Sequence, residues 1–237
     1  IFDGKLEPGD VVITNDPWMS AGHFFDITVM CPIFWDERLI GYRNALLVNG
    51  IHPDDRFVVA DESAFIPYVE DNPDLPRSPG NALIGSPEWS AFFLWKTGAP
   101  QADNIARCPK TMDALADAPL ARIRNASPSI LYSLLRPGAH IPPHTGYLNT
   151  RLICHLPLIV PPACRFRVGN DERVWEEGRC WAFDDTIEHE AWNGSDQLRV
   201  VLIFDVWRPE LSEEERAMVT ALFETIDSYG GVEAMDV

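Results

Sequence analysis

Short runs of β-forming residues that recur at close spacing constrain the fold of this chain more than any other feature. Turn signals such as Pro137-Gly138 and Asn193-Gly194 separate them. The runs are Ile130 to Leu135, Thr150 to Val160, Cys164 to Val168, Cys180 to Phe183 and Leu198 to Trp207. Several short strands at such spacing are typical of a β-sandwich or a β-barrel. The chain from residue 129 onward is therefore predicted to be mainly β.

The N-terminal part of the chain has a separate group of strand-like runs, at Val11 to Thr14, Ile27 to Pro32 and Leu39 to Tyr42. Proline and polar residues then crowd residues 67–87, which favours a linker or a long surface loop. We therefore expect two units, a β-rich segment at residues 1–61 and a larger domain at residues 62–237.

One amphipathic helix is predicted near the C-terminus. Ser212 followed by Glu213, Glu214 and Glu215 has the form of a capping box with acids at the positive end of the helix dipole. Apolar residues then recur every four positions, at Met218, Leu222 and Ile226. The pair Gly230-Gly231 is expected to end the helix.

Charge and composition exclude several classes of protein. The 237 residues include 19 Lys and Arg against 36 Asp and Glu, a net charge of -17, which would repel nucleic acid. No apolar stretch approaches the roughly 18 residues of a membrane span. None of the five cysteines forms a C-x-x-C pair, which argues against a thiolate zinc site or a disulfide framework. Because no leader segment is visible, a cytoplasmic location is expected, whereas the oligomeric state is not predicted.

Two histidines beside turns are the candidate metal ligands. His144 follows Pro142-Pro143, and His189 follows the acidic run that starts at Asp184-Asp185. Imidazoles at the ends of neighbouring strands can meet at the mouth of a small barrel and bind a divalent metal, and nearby acids can orient the rings. Each histidine taken alone is more typical of a surface or core residue.

The stretch around these histidines resembles the aspartyl/asparaginyl β-hydroxylase family. Four motifs stand in one order, PHTGYLNTRLICHLPLIVP, WEEG, FDDTIEHEAW and LRVVLIFDVWRPEL. The resemblance extends upstream through WSAFFLWK and CPKT and covers about residues 62–228. It implies a double-stranded β-helix, which is a jelly-roll or cupin-like fold, with a few flanking helices.

The same resemblance implies an oxygenase that uses iron(II), 2-oxoglutarate and dioxygen. It places the iron on His144 and His189 with no carboxylate ligand. A His-x-Asp pattern would have an acid at position 146, where this chain has Gly146, and water can fill the vacant position.

The resemblance also implies the residues that hold 2-oxoglutarate. Arg199 would pair with its distal carboxylate, and His155, Ser133 and Trp95 would make further contacts. Arg151 is a candidate substrate or pocket residue. The family pattern R-L-R-x-H reads Arg-Leu-Ile-Cys-His here, so Ile153 replaces its second arginine, which affects recognition of an acidic peptide and not metal binding.

We therefore expect a hydroxylase that acts on the β-carbon of Asp or Asn residues, or on a related small or acyl substrate. Relatives that hydroxylate lipid acyl chains would need an apolar access groove. Two alternatives remain open. The chain could be a halogenase, since a missing carboxylate leaves room for chloride, or a non-catalytic fusion or scaffold protein that retains the barrel.

Residues 1–60 carry a second resemblance. The run LEPGDVVITNDPW, followed by GHFFDITV, resembles part of the hydantoinase B and oxoprolinase family. In that family an H-x-x-D pair contributes to a metal site, which makes His23 and Asp26 candidates. This piece is much shorter than that family's subunit, so a fragment is expected and not a working hydantoinase.

Overall fold

The computed structural model describes residues 12–14, 28–35, 38–44, 61–71 and 83–230. Its first sheet is antiparallel, with strands in the order β1 (Val12–Thr14), β2 (Thr28–Trp35) and β3 (Arg38–Asn44). These strands coincide with the three runs predicted in the N-terminal segment. The candidate pair His23 and Asp26 lies outside the described residues.

The second and largest sheet is also antiparallel and forms one wall of the main domain. Its strand order is β12-β9-β14-β7-β5-β4, with β6 paired to β5. The strands are β4 (Ile66–Pro67), β5 (Trp89–Lys96), β6 (Ala99–Pro100), β7 (Ile130–Leu135), β9 (Arg151–Ile159), β12 (Trp181–Phe183) and β14 (Arg199–Trp207).

A smaller antiparallel sheet forms the opposite wall, in the order β11-β10-β13-β8. Its strands are β8 (His140–His144), β10 (Cys164–Val168), β11 (Asp171–Arg173) and β13 (His189–Asn193). One buried cluster joins the walls, with Leu135 and Val201 from the large sheet packed among Ile141, Phe166 and Ala191 from the small sheet. Two sheets packed in this way form a double-stranded β-helix, so the predicted fold class is confirmed.

The large sheet is buried on both faces because helices cover its outer side. The helices α1 (Ala102–Arg107) and α2 (Pro109–Ala114) contribute to a second core that contains Leu202 and Phe204. Along β14, Leu202 and Phe204 face this core, whereas Arg199, Ile203 and Asp205 line the space between the sheets. Because side chains alternate along a strand, the otherwise apolar β14 directs the polar side chains of Arg199 and Asp205 into the space between the sheets.

The predicted strands from residue 129 onward are confirmed as β7, β9, β10, β12 and β14. The periodicity did not predict β5, β8 and β13. Six of the eight residues of β5 are buried in succession, so no alternation marks it. Two prolines interrupt β8, and they are tolerated because β8 is an edge strand of the small sheet.

The predicted C-terminal helix is α3 (Glu213–Gly230). Its capping box is confirmed, since the Glu215 N–H donates to Ser212 Oγ at 3.3 Å and the Ser212 N–H donates to Glu215 Oε2 at 2.8 Å. The expected apolar face is wrong. Val219 and Phe223 pack against the core, whereas Met218, Leu222 and Ile226, whose spacing defined the apolar face, are exposed.

Candidate metal and co-substrate site

The two candidate ligand histidines meet across two neighbouring strands. His144 is the last residue of β8 and His189 the first of β13, and their Cα atoms are direct partners in the ladder. Their ring centroids are 4.1 Å apart. Antiparallel pairing therefore brings together two imidazoles that are far apart in sequence.

Both rings are held by the same type of hydrogen bond. The Nδ1 of His144 lies 2.8 Å from the Pro142 carbonyl oxygen, and the Nδ1 of His189 lies 2.9 Å from that of Ile187. A carbonyl only accepts, so Nδ1 carries the proton in each neutral ring and Nε2 keeps its lone pair. A hydrogen bond from Nδ1 to a backbone carbonyl fixes the orientation of the ring, which is typical of histidines that bind a metal through Nε2.

Burial keeps both rings uncharged at neutral pH. It lowers the pKa of His144, and together with the neighbouring His144 it lowers the pKa of His189 to about 4. Neutral imidazole is the form that binds a divalent metal. Among residues 61–71 and 83–230, no cluster of three or more His, Cys, Asp or Glu residues could hold a metal ion.

A cavity of about 390 Å³ lies between the sheets and is lined by both histidines. Its volume falls within the range of small-molecule sites. Most of the residues predicted for the site also line it, namely Ser133, Gly146, Arg151, His155 and Arg199.

Trp95 is the predicted site residue that the structure places elsewhere, and this is a correction. A register shift between Phe93 and Trp95 in β5 turns Trp95 to the outer side of the sheet. There it packs against the core under the helices, below the Arg122 guanidinium. Trp89, at the other end of β5, lines the cavity instead and donates from Nε1 to Ser133 Oγ at 3.1 Å.

Arg199 is a buried cation that lacks a counter-ion among the described residues. It is 1% exposed, and it forms no ion pair with a carboxylate of the described residues. Its Nη1 donates to Ser133 Oγ at 3.3 Å, and its guanidinium lies 5.0 Å from the Trp175 ring centroid. Its Nε has no hydrogen-bond partner among the described residues. Burial lowers its pKa to about 10, so it is charged at neutral pH.

His155 lies beside this cation on the neighbouring strand β9. The Trp175 Nε1–H donates to His155 Nδ1 at 3.4 Å, which leaves the proton of the neutral ring on Nε2. Burial, and then the charge of Arg199, hold the pKa of His155 well below its usual value. His155 is therefore a neutral hydrogen-bond donor next to an unpaired guanidinium.

The carboxylate of Asp185 occupies the space that a side chain at position 146 would need. A Cβ atom built on Gly146 would lie 2.0 Å from Asp185 Oδ2. Burial raises the pKa of Asp185 to about 6 against the attraction of Arg151, and its Oδ1 has no hydrogen-bond partner among the described residues. The Asp185 carboxylate therefore fills the space of the acid that a His-x-Asp pattern would have at position 146.

Arg151 lies between two carboxylates. Its Nη2 is 3.0 Å from Asp185 Oδ2, and its Nε is 3.6 Å from Asp205 Oδ2. Asp205 also accepts from Ser127 Oγ at 2.9 Å and from the Ser129 N–H at 3.0 Å. Arg151 is thus a buried cation whose charge is already compensated.

Sequence reasoning assigned no individual role to four cavity residues that contact the predicted site residues or limit their space, Trp89, Trp175, Asp185 and Asp205. All four lie within matched motifs, so a signal existed for each of them. Asp205 belongs to the last matched motif and lies two residues beyond Ile203 on a buried strand.

Comparison with known proteins assigns parts of the chain to two families. A model of the aspartyl/asparaginyl β-hydroxylase family matches residues 59–209, and a hydantoinase B/oxoprolinase model matches residues 1–50. The chain belongs to the aspartyl/asparaginyl β-hydroxylase family. This family membership supports a hydroxylase, and the hydantoinase-like match is confined to the N-terminal segment.

Three curated relatives illustrate the range of this hydroxylase family. The chain is 39% identical to mouse aspartyl/asparaginyl beta-hydroxylase over 80% of its own length and 25% of the relative's. It is 35% identical to human aspartate beta-hydroxylase domain-containing protein 2, covering 64% of this chain and 42% of the relative. It is 40% identical to the ornithine lipid ester-linked acyl 2-hydroxylase of Rhizobium tropici, covering 51% of this chain and 42% of the relative. The chain thus spans less than half the length of each.

The described part of the chain contains the helices α1, α2 and α3. None of them combines the length and the apolar character needed to cross a bilayer.

Proposed function

We propose that this chain is an iron(II)- and 2-oxoglutarate-dependent hydroxylase that uses dioxygen to hydroxylate an unactivated carbon. The observation that carries the proposal is the uncompensated guanidinium of Arg199, buried in the same cavity as the His144 and His189 pair. A buried cation without a counter-ion is costly unless an anion binds it.

The donor set fits a first-row metal. Two neutral imidazoles with fixed tautomers suit iron(II), and two protein ligands leave positions for a chelating keto acid and water. When bound, iron and 2-oxoglutarate would together supply the oxidising chemistry that inserts one oxygen atom of dioxygen into a C–H bond, with release of succinate and carbon dioxide.

The side chains around Arg199 would orient the co-substrate. Arg199 would pair with the distal carboxylate of 2-oxoglutarate, while Ser133 Oγ and the Nε2–H of His155 would donate to its oxygens. Trp89 and Trp175 hold Ser133 and His155 through their indole N–H groups. Their rings, together with Phe166 and Phe183, would exclude water from the reacting end.

The position of Asp185 argues against the halogenase alternative. Chloride would have to lie near the space that residue 146 leaves, which the Asp185 carboxylate occupies. Two neighbouring anions would repel each other, whereas a water molecule beside the carboxylate can donate a hydrogen bond to Asp185 Oδ1, which has no partner among the described residues. We therefore propose hydroxylation.

The scaffold alternative predicts that the cavity has no ligands, and calorimetry tests this. Wild-type protein is titrated with Mn(II), a redox-inert substitute for iron(II), and then with 2-oxoglutarate. We expect both to bind, and we expect His144→Ala and His189→Ala to lose the metal. His140→Ala is a matched control, because His140 is exposed on the same strand β8 and contacts Glu190 outside the cavity. Failure of wild-type protein to bind either ligand would contradict the proposal.

A further inference from the structure

We infer that the substrate presents a neutral aliphatic group, joined to an amide or ester carbonyl, and that Ile153 selects this group over a carboxylate. The inference rests on the proposed function, because it takes Arg199 to be used by 2-oxoglutarate. It concerns the half of the cavity that lies around Arg151.

The charges of the lining leave no cation for an acidic substrate. Two arginines and two aspartates line the cavity within the described residues. If 2-oxoglutarate pairs with Arg199, the remaining cation is Arg151. Burial opposes the charge of Arg151, but Asp205, Asp185 and the more weakly acting Tyr147 and Tyr68 together raise its pKa. A substrate carboxylate would therefore face two protein carboxylates and one cation that they already compensate.

Ile153 belongs to an apolar surface next to this group. We call the cavity-lining side chains Val69, Leu83, Leu131, Ile153 and Ile203 the aliphatic wall. The Cα partner of Ile153 across the ladder is Asp205. A carboxylate placed against Ile153 would lose water, gain no donor from the wall and approach Asp205. An alkyl group would bury apolar surface there without these costs.

Arg151 nevertheless requires an acceptor. Its side chain is 8% exposed, and neither its Nε nor its Nη1 has a hydrogen-bond partner among the described residues. Buried donors without partners are costly, and a carbonyl oxygen satisfies them without adding a charge. An alkyl group attached to an amide or ester carbonyl thus matches both the aliphatic wall and Arg151.

A pair of isosteric probes tests this inference by calorimetry. N-acetyl-leucine amide and the α-amide of N-acetyl-aspartic acid have side chains with the same branching and number of heavy atoms. Protein loaded with Mn(II) and 2-oxoglutarate is titrated with each probe. We expect the leucine probe to bind at least roughly tenfold more tightly. Equal affinity, preference for the aspartate probe, or no binding of either probe would overturn the inference.

Two variants on β9 assign the selection to Ile153. Ile153→Arg supplies a cation at the aliphatic wall, so we expect the preference to reverse. Ile159→Arg adds the same charge on the same strand at a site that is 39% exposed and outside the cavity, so the preference should be unchanged. An unchanged preference in Ile153→Arg would count against the role of Ile153, even if the wild-type result stands.

The first titration separates this inference from the proposed function. If Mn(II) and 2-oxoglutarate bind but the probes do not differ, the substrate class is wrong and the co-substrate assignment is unaffected. If 2-oxoglutarate itself does not bind, the proposed function fails before any probe is added.

Discussion

The Asp185 carboxylate lies where the side chain of residue 146 would be, within 2.0 Å of a Cβ atom built on Gly146. The glycine and the aspartate therefore form one spatial unit, although they come from different loops. The Gly146 N–H also donates to the Asp185 carbonyl oxygen at 2.7 Å, which joins their backbones.

Gly146→Ala is expected to destabilise the protein by about 1–3 kcal/mol, because the added methyl group must displace the Asp185 carboxylate. Urea denaturation measures the change in the free energy of unfolding. In an Asp185→Ala background, Gly146→Ala should lower the free energy of unfolding by clearly less, because the carboxylate atoms that clash with the methyl group are absent. Additive costs in the double variant would show that the two residues do not compete for space.

Arg199→Met is expected to abolish 2-oxoglutarate binding without destabilising the fold. Methionine retains an unbranched chain of similar shape but removes a buried charge that pairs with no carboxylate in the described part of the chain. We expect the free energy of unfolding to stay equal or to rise by about 1–4 kcal/mol. Chemical denaturation and calorimetry on the same sample measure both quantities. A large loss of stability with 2-oxoglutarate affinity retained would contradict the assigned role of Arg199.

Trp175→Phe should weaken 2-oxoglutarate binding by roughly tenfold, because it removes the N–H that fixes the tautomer of His155 while keeping an aromatic ring. Trp192→Phe is the matched control. Trp192 stacks on His140 with a centroid distance of 5.1 Å and does not line the cavity. Calorimetric dissociation constants compare the two variants. Equal effects would indicate that Trp175 acts only through general packing.

Two adjacent residues of α3 should respond differently to truncation. Phe223 packs against the core, so Phe223→Ala should cost about 1–2 kcal/mol of unfolding free energy. Leu222 is 57% exposed, and Leu222→Ala should stay within about 0.5 kcal/mol of wild type. The reverse order, measured by urea denaturation, would restore the face that the sequence pattern predicted.

The sequence predicted the β class and the histidine pair for identifiable reasons. Short strands between strong turn signals marked most of the sheets, and an ordered set of motifs marked His144 and His189. Their meeting also depends on the pairing of β8 with β13, two strands that the periodicity did not predict. The match of motifs therefore carried information that local propensity did not contain.

Other features depend on three-dimensional details that sequence patterns do not encode. A register shift in β5 decides that Trp89, and not Trp95, reaches the cavity. The occupation of the space at Gly146 depends on how a distant loop returns to the sheet. In α3 the spacing of Met218, Leu222 and Ile226 was correct for a helix, but nothing local indicated which face would pack.

Succinate release from 2-oxoglutarate by the iron-loaded protein under oxygen tests the central claim most directly. The account predicts succinate from the wild-type protein and from the His140→Ala control. It predicts no succinate above background from His144→Ala or His189→Ala. Equal release from the histidine variants and the wild-type protein, or no release from iron-loaded wild-type protein, would contradict it.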